Sequence, residues 1–291
     1  MARVAERLRE NAEGEFFVDS SCIDCGICRE VAPNVYSRAD AIGLSIVHRQ
    51  PTTDDEQVRA AMGLVACPTS SIGTLHKVDV SIARRRFPEA IAPDVGDVFA
   101  CGWASRSSYG ASSWLVRRAE GNVLVDSPRA SRSLLEQVRS LGGARFMFLT
   151  HRDDVADHAY WRDALGCERV MHADDVTAAT SDVEHKLAGR APVALASDLL
   201  VIPVPGHTRG SAALLFRDEY LFSGDHVWGD EGALGAGRDV CWFSWTEQLR
   251  SLALLRDHRF RWVLPGHGSR YRAASPEAMR ADLDRLLASL R

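Results

Sequence analysis

The hydrophobic and polar positions divide the chain into two regions with different patterns. In the first 75 or so residues, the apolar runs EFFVD (15–19) and GLSIVH (43–48) predict two short strands, and DDEQVRAAMGLVA (54–66) predicts a helix. Residues 81–97 carry charge, two prolines and no clear period, which predicts a linker.

From residue 98 onward, apolar strand candidates alternate with helical stretches. The last helical stretch, SPEAMRADLDRLLASL, has Ser275 as its predicted N-cap and Pro276 at the first helical position. This mixture of strands and helices predicts a layered α/β domain. We therefore expect three segments: a small α+β domain at 1–80, a linker at 81–97 and an α/β domain at 98–291. The strand candidates are VFACGW, SSWLVRR, NVLVDS, RFMFLTH, ERVMH, DLLVIPV, SAALLF, EYLFSGD and RWVLPGH.

Composition narrows the class of protein. Hydrophobic residues make up 46% of the chain, charged residues 25%, and the net charge is −4, as in an ordinary soluble globular protein. No cluster of basic residues stands out, so we expect no nucleic-acid partner. No apolar run of 18 residues and no signal-peptide pattern is present, so we expect no membrane span and a cytoplasmic location.

Four cysteines are spaced for a metal cluster. Cys22, Cys25 and Cys28 are separated by two residues each, and Cys67 follows in a Cys-Pro pair. Bacterial ferredoxins carry C-x2-C-x2-C-x3-C-P, whose fourth cysteine binds a second cluster; that position is Ala32 here. The stretch of roughly 15–75 therefore resembles a single-cluster bacterial ferredoxin, and the resemblance implies a [4Fe–4S] cluster bound by the four cysteines. The alternative is a zinc site with four cysteine ligands, which usually come as two separated pairs.

Four further segments carry metal-ligand residue types. THRDDVADH (150–158) contains His151 and ends in Asp157–His158, and it follows an apolar run. PVPGHTRGS, LFSGDHV and VLPGHGS each place a ligand type after a strand and a glycine; these are His207, Asp225 and His267. The order of the four segments predicts one shared metal site.

Together these segments resemble the metallo-β-lactamase superfamily, on its glyoxalase II-like branch, over about residues 95–291. The resemblance implies an αβ/βα four-layer sandwich with two divalent metal ions. Asp225 would bridge them and Asp126 would support the ligand loop. The catalytic carboxylates would be Asp225 and Asp157. The implied ligands of one metal are His151 and His207, and those of the other are Asp157, His158 and His267.

The sequence departs from the superfamily in the first ligand loop. The family motif THxHxDH has a second histidine where this chain has aspartates, and two extra residues lie before Asp157. Spacing counted from either end of the loop reaches residue 153, which favours Asp153 over Asp154 as the seventh ligand. A carboxylate in place of an imidazole shifts metal preference from zinc toward iron or manganese.

Three functions follow as hypotheses. The first is a hydrolase in which the two metals activate water against a small ester or thioester-like substrate. The second is a di-iron oxidoreductase or oxygenase that receives electrons from its own cluster, which would need an external redox partner. The third is a protein for electron transfer or sensing without turnover. Superfamily membership favours hydrolysis, whereas the fused ferredoxin and the extra carboxylate favour redox chemistry.

Several residues near these motifs keep two interpretations. Trp228, Trp242, Phe243 and Trp245 either wall a substrate pocket or pack a helix onto the sheet. His226, next to Asp225, contacts either the substrate or a metal ligand.

Overall fold

The computed structural model describes residues 2–290, and these have mixed α/β structure, which confirms the predicted class. They divide into two compact units. The first runs to Arg145 and adds Ala156–Cys167, and the second comprises Phe146–Val155 and the residues from Glu168 onward.

The first unit contains five helices and eight short strands. Strand β1 pairs antiparallel with β4, β2 with β3, and β5 to β8 form an antiparallel series in chain order. The helices are α1 (Ile27–Val31), α2 (Asp54–Ala66), α3 (Ser81–Arg85), α4 (Arg132–Ser140) and α5 (His158–Leu165). The strands are β1 (Phe16–Val18), β2 (Tyr36–Ala39), β3 (Leu44–Val47), β4 (Ile72–Thr74), β5 (Glu89–Ala90), β6 (Val98–Ala100), β7 (Trp114–Val116) and β8 (Val123–Val125).

Helix α2 has the bounds that its sequence predicts. The Thr53 hydroxyl caps its N-terminus by accepting a hydrogen bond from the Glu56 amide, and acidic residues fill the first turn, where the helix dipole favours them. Pro68 disfavours helical backbone at the residue before it, and the helix ends at Ala66. Cys67 is therefore held at the C-terminal end of α2.

The segment 81–97, predicted as a linker, contains a short helix and a strand. Helix α3 occupies five of its residues, and β5 pairs with β6. Elements this short produce no measurable period, which is why the sequence pattern did not indicate them. The predicted boundaries at 1–80, 81–97 and 98–291 stay a prediction.

The second unit contains a group of three parallel strands and a six-stranded sheet. Strands β9, β10 and β11 are parallel, and a six-stranded sheet has the order β12-β13-β14-β15-β18-β19, antiparallel except between β15 and β18. The strands are β9 (Phe146–Phe148), β10 (Glu168–His172), β11 (His185–Leu187), β12 (Val193–Ala196), β13 (Leu199–Pro203), β14 (Ala212–Phe216), β15 (Tyr220–Gly224), β16 (Trp228–Asp230), β17 (Ala233–Gly235), β18 (Trp262–Pro265) and β19 (Tyr271–Arg272). The helices are α6 (Trp245–Leu255) and α7 (Pro276–Ser289).

Helices α6 and α7 cover one face of the six-stranded sheet. Leu252 of α6 and Leu283 of α7 share a buried cluster with Leu215, Leu221 and Val263 of the sheet. All five residues of β14 are buried, so its opposite face is covered as well. The predicted start of α7 is confirmed, with the N-cap serine accepting a hydrogen bond from the amide three residues on and proline at the first helical position.

No helix among the described residues is both long and apolar enough to cross a membrane.

Candidate iron–sulfur and metal sites

The four predicted cluster cysteines meet in the first unit. Cys22, Cys25, Cys28 and Cys67 line one cavity together with small and apolar side chains. The described cysteines form no disulfide bonds. The loop before α1, α1 itself and the end of α2 each contribute sulfur, as the spacing predicts.

The chemistry of this cavity fits a cluster. Burial raises the pKa of the Cys25 and Cys28 thiols to about 12, so both are neutral thiols at neutral pH unless a cation compensates for the lost hydration. Backbone amides donate to two of the sulfurs: Asp24 N lies 3.4 Å from Cys22 Sγ, and a second amide lies 3.3 Å from Cys67 Sγ. Such amide–sulfur bonds are a recognised means of tuning iron–sulfur clusters.

Residues beyond the ferredoxin-like stretch also pack against this cavity within the first unit. A methyl group built on Gly110, whose φ is +88°, would lie only 2.5 Å from Cys25 Cβ. The Ala104 amide donates to the Ala66 carbonyl at 3.2 Å. The loop around 104–110 is thus in direct contact with the cysteine loop, and only glycine permits the approach at 110.

In the second unit, a single carboxylate oxygen is surrounded by three imidazoles. Asp225 Oδ2 lies 3.7 Å from His151 Nε2, 3.7 Å from His207 Nε2 and 3.8 Å from His267 Nε2. These separations are longer than the donor–acceptor distance of a hydrogen bond. They approach the roughly 3.4 Å expected between two atoms bound tetrahedrally to one metal at about 2.1 Å.

Two groups of three ligand atoms result, and Asp225 belongs to both. His151, His207 and Asp225 form one group, and Asp154, Asp225 and His267 form the other, with the atoms of each group within 4.8 Å of one another. The Nε2 atoms of the first two histidines are buried and have no hydrogen-bond partner. Burying such atoms is costly unless something else satisfies them, and a cation does so.

Both aspartates of the ligand loop lie at this site, but in different positions. Asp153 Oδ2 is 3.4 Å from His207 Nε2 and 4.0 Å from His151 Nε2, and its side chain is 31% exposed. Asp154 is only 1% exposed, with its oxygens 3.9 Å from His151 Nε2 and 3.8 Å from His267 Nε2. Spacing in the sequence indicated Asp153; the geometry adds Asp154 as a candidate ligand on the His267 side.

Gly266 leaves the space that these carboxylates occupy. It follows β18, and a methyl group built on it would lie 2.5 Å from Asp154 Oδ2 and 2.7 Å from Asp225 Oδ1. Any larger residue would displace one of the two carboxylates. Glycine before the ligand histidine thus has a steric cause.

Burial and neighbouring charges shift the pKa values of three residues at the site. Burial lowers the pKa of His151, against the charge of Asp225, so its imidazole is neutral and able to bind a metal. Burial also lowers the pKa of His207, but the close contact with the Asp153 carboxylate (3.4 Å) and the charge of Asp225 outweigh it and raise the pKa. The same contact lowers the pKa of Asp153.

One buried carboxylate ties two ligand loops together. Asp175 Oδ2 accepts hydrogen bonds from the Arg152 amide (3.0 Å) and from the Thr208 hydroxyl (2.5 Å), while its Oδ1 accepts from the Gly210 amide (2.7 Å). The first donor follows His151 and the other two follow His207. The sequence did not indicate this residue, because nothing in its neighbourhood resembles a ligand motif.

A second set of bonds fixes His207 from the other side. Its Nδ1–H donates to the Val240 carbonyl at 2.5 Å, which leaves Nε2 as the ligand nitrogen. Its carbonyl accepts from the amides of Trp242 (2.9 Å) and Phe243 (3.0 Å). The segment that precedes α6 is therefore attached to a candidate ligand. Trp242 and Phe243 are 62% and 44% exposed, so neither packs α6 onto the sheet.

The remaining predicted residues lie at the following places. Asp157 is the residue before α5 in the first unit, where its Oδ2 accepts from the Ala130 amide at 2.6 Å, and the buried His158 begins that helix. Asp126, buried and with φ +57°, follows β8 in the same unit. Their roles stay predictions. His226 is 1% exposed, and burial lowers its pKa to about 3, so it is neutral and screened from solvent.

Comparison with known proteins matches this chain to a ferredoxin family model and to a hydrolase. Residues 18–74 match the family model described as the 4Fe-4S single cluster domain of Ferredoxin I. The chain is 35% identical over 143 residues to a hydroxyacylglutathione hydrolase of Anaeromyxobacter dehalogenans (strain 2CP-C). That alignment covers 46% of this chain and 54% of the relative, so the chain spans about half the length of the curated relative it matches.

Solved structures show more distant likeness. BLEG-1 B3 metallo-β-lactamase is 17% identical with a TM-score of 0.48, covering 61% of this chain and 94% of its own. A metallo-β-lactamase family protein from Thermus thermophilus is 20% identical with a TM-score of 0.45, covering 62% of this chain and 74% of its own. The predicted single-cluster domain is confirmed: the chain carries a 4Fe-4S ferredoxin domain at residues 18–74, together with sequence similar to a glyoxalase II-type hydrolase.

Proposed function

We propose that this protein is a metal-dependent hydrolase of small ester or thioester-like substrates with a binuclear site. The observation that carries the proposal is the position of Asp225 Oδ2, which faces three imidazole nitrogens and belongs to both ligand groups. The similarity to a hydroxyacylglutathione hydrolase supports the reaction class.

His151, His207 and Asp225 would hold one metal, with Asp153 at its more exposed side. Asp154, Asp225 and His267 would hold the other. On sequence grounds, Asp157 and His158 stay predicted ligands of this second metal. Two divalent ions at such a site lower the pKa of a bound water and polarise a carbonyl oxygen.

The chain's own residues orient this chemistry. The Val240 carbonyl fixes the His207 ring so that Nε2 faces the site. Asp153, whose side chain is partly exposed, lies 3.4 Å from His207 Nε2 and would complete the first metal's ligands at their more exposed side. Gly266 leaves room for the carboxylates of Asp154 and Asp225.

The test is metal content and thioester hydrolysis in aspartate variants purified without oxygen. Asp225→Ala is expected to lose both metals and all hydrolysis. Asp154→Ala and Asp153→Ala should each lose about one metal equivalent. The matched control is Asp230→Ala, an exposed aspartate on β16. Full metal content in Asp225→Ala, or hydrolysis that survives complete metal removal, contradicts the proposal.

One observation favours the redox alternative. Arg129 Nη2 donates to the Val65 carbonyl (2.8 Å), two residues before Cys67, and the next amide, from Ala130, donates to Asp157 (2.6 Å). Two hydrogen bonds, the Arg129 side chain and one peptide unit thus join the end of α2 to a predicted metal ligand. If the cluster supplies electrons to an iron site, protein that has been reduced with dithionite and freed of excess reductant should consume more oxygen, or reduce more substrate, when it is loaded with iron than when it is loaded with zinc.

A further inference from the structure

The loop before α6 exposes a group of large apolar side chains beside the candidate metal site. Val240 is 41% exposed, Trp242 62% and Phe243 44%. We call these three side chains the apolar wall. Exposed aromatic side chains that lie together commonly mark a binding surface.

The apolar wall is rigidly attached to a predicted metal ligand. Besides the three bonds to His207, the Ser244 amide donates to the Gly206 carbonyl at 3.0 Å, and the Cys241 thiol donates to that same carbonyl at 3.0 Å. Cys241 thus turns inward while its neighbours turn outward. The backbone hydrogen bonds of the loop therefore hold Trp242 and Phe243 in their exposed positions.

Distance places the apolar wall next to the reacting centre. The Trp242 ring centroid is 6.2 Å from the His207 ring centroid, at an interplanar angle of 59°. His207 Nε2 faces Asp225 and Asp153 from the other edge of its ring. A metal bound at His207 Nε2 would therefore lie at most about 10 Å from the Trp242 ring centroid, a distance that a medium-length acyl chain can span.

We infer that the apolar wall binds the acyl substituent of the substrate and selects apolar acyl groups, such as medium-length alkyl or aryl chains. This inference rests on the proposed hydrolase function and specifies its substrate class. The acyl chain and the thiol portion of a thioester are both bonded to the carbonyl carbon, and a series that varies only the acyl chain separates their contributions.

The test uses metal-loaded full-length protein and S-acyl N-acetylcysteamine thioesters from acetyl to octanoyl. Because the apolar wall covers only one side of the acyl chain, each added methylene should raise kcat/KM by about twofold. From butanoyl to octanoyl the increase should be roughly 15-fold. Trp242→Ala should remove most of this increase, and Trp242→Phe should retain it in part. The control is Leu254→Ala, an apolar residue 56% exposed on α6, which should leave the increase unchanged.

A second readout does not depend on turnover. Octanoate should bind the metal-loaded protein at least tenfold more tightly than acetate, as followed by tryptophan fluorescence, and Trp242→Ala should abolish the difference. If no thioester is hydrolysed but octanoate shows this preference, the hydrolase proposal fails and the apolar subsite stands.

A flat chain-length series, or a series unaltered in Trp242→Ala, overturns the inference. So does a wild-type dimer that Trp242→Ala dissociates, because the wall would then bind a second copy.

Discussion

Replacing Asp175 by asparagine tests whether a buried carboxylate that lies outside every ligand motif in the sequence positions the candidate metal ligands. The substitution keeps the volume of the side chain and removes its charge. Asp175 is 1% exposed and accepts hydrogen bonds from Arg152, Thr208 and Gly210. An asparagine oxygen can still accept the first two, but its amide nitrogen then faces the amide of Gly210, and two donors oppose each other.

The expected cost follows from these contacts. Hydrogen bonds to a charged group contribute about 1.5–3 kcal/mol each, and a buried donor left without an acceptor costs about 1–3 kcal/mol. Allowing for two bonds that weaken and one that is lost, we expect a destabilisation of about 2–4 kcal/mol. For a chain of this size, the melting temperature should fall by about 5–12 °C.

Metal affinity should fall as well, because Asp175 joins the residue after His151 to the turn after His207. Loss of a group that orients metal ligands typically lowers affinity by about 10–100-fold. The assays are thermal denaturation and titration of the metal-loaded protein with a chromogenic chelator.

The neighbouring Asp174 provides the matched control. Its side chain is 47% exposed and lies 3.5 Å from Arg209 across the surface. Asp174→Asn should change stability by less than about 1 kcal/mol, as is usual for surface ion pairs, and should leave metal affinity unchanged. If Asp175→Asn behaves like Asp174→Asn in both assays, the carboxylate does not position the ligand loops.

Three further predictions test other parts of the structure. Cys67→Ser should abolish the iron–sulfur absorbance of anaerobically purified protein, whereas Cys241→Ser, outside the cluster cavity, should keep it. Gly266→Ala should cost about one metal equivalent by elemental analysis, since its methyl group would meet the carboxylates of Asp154 and Asp225; unchanged metal content would contradict this. The hydrogen bond from Arg169 lowers the pKa of Glu184 from 4.5 to about 2, so its contribution to folding is complete above about pH 4.5 and is lost as the pH falls through about 2. Glu184→Gln should therefore lower the free energy of unfolding by about 1–2 kcal/mol at pH 7 and by less at pH 3 in urea titrations; an equal loss at both pH values would exclude this account.

The sequence predicted that two candidate ligands follow apolar strands. Asp225 comes directly after β15, and His267 lies two residues after β18, so the strand pattern alone places both at strand ends. Local patterns carry this information because an apolar run of strand length, ended by glycine, is recognisable without its partners.

The sequence could not predict contacts that depend on tertiary packing. Counting residues along the ligand loop favoured Asp153, but the depth of Asp154 depends on Gly266, more than a hundred residues away. Asp175 acts on two loops through backbone amides, which leave no trace in residue type. The exposure of Trp242 follows from hydrogen bonds to the His207 carbonyl, and helical periodicity gave no means to foresee it.

The carboxylates of the ligand loop connect the two functional hypotheses. An aspartate in place of an imidazole adds a negative charge next to the metals, which weakens their pull on a bound water and raises its pKa. The same exchange favours iron or manganese over zinc. A site with both Asp153 and Asp154 near its metals would therefore hydrolyse more slowly at neutral pH than a three-imidazole site, while the added charge stabilises the oxidised state of an iron. Asp153→His removes that charge. It should therefore raise the rate of hydrolysis by zinc-loaded protein and lower the oxygen consumption of iron-loaded protein that receives electrons from the cluster.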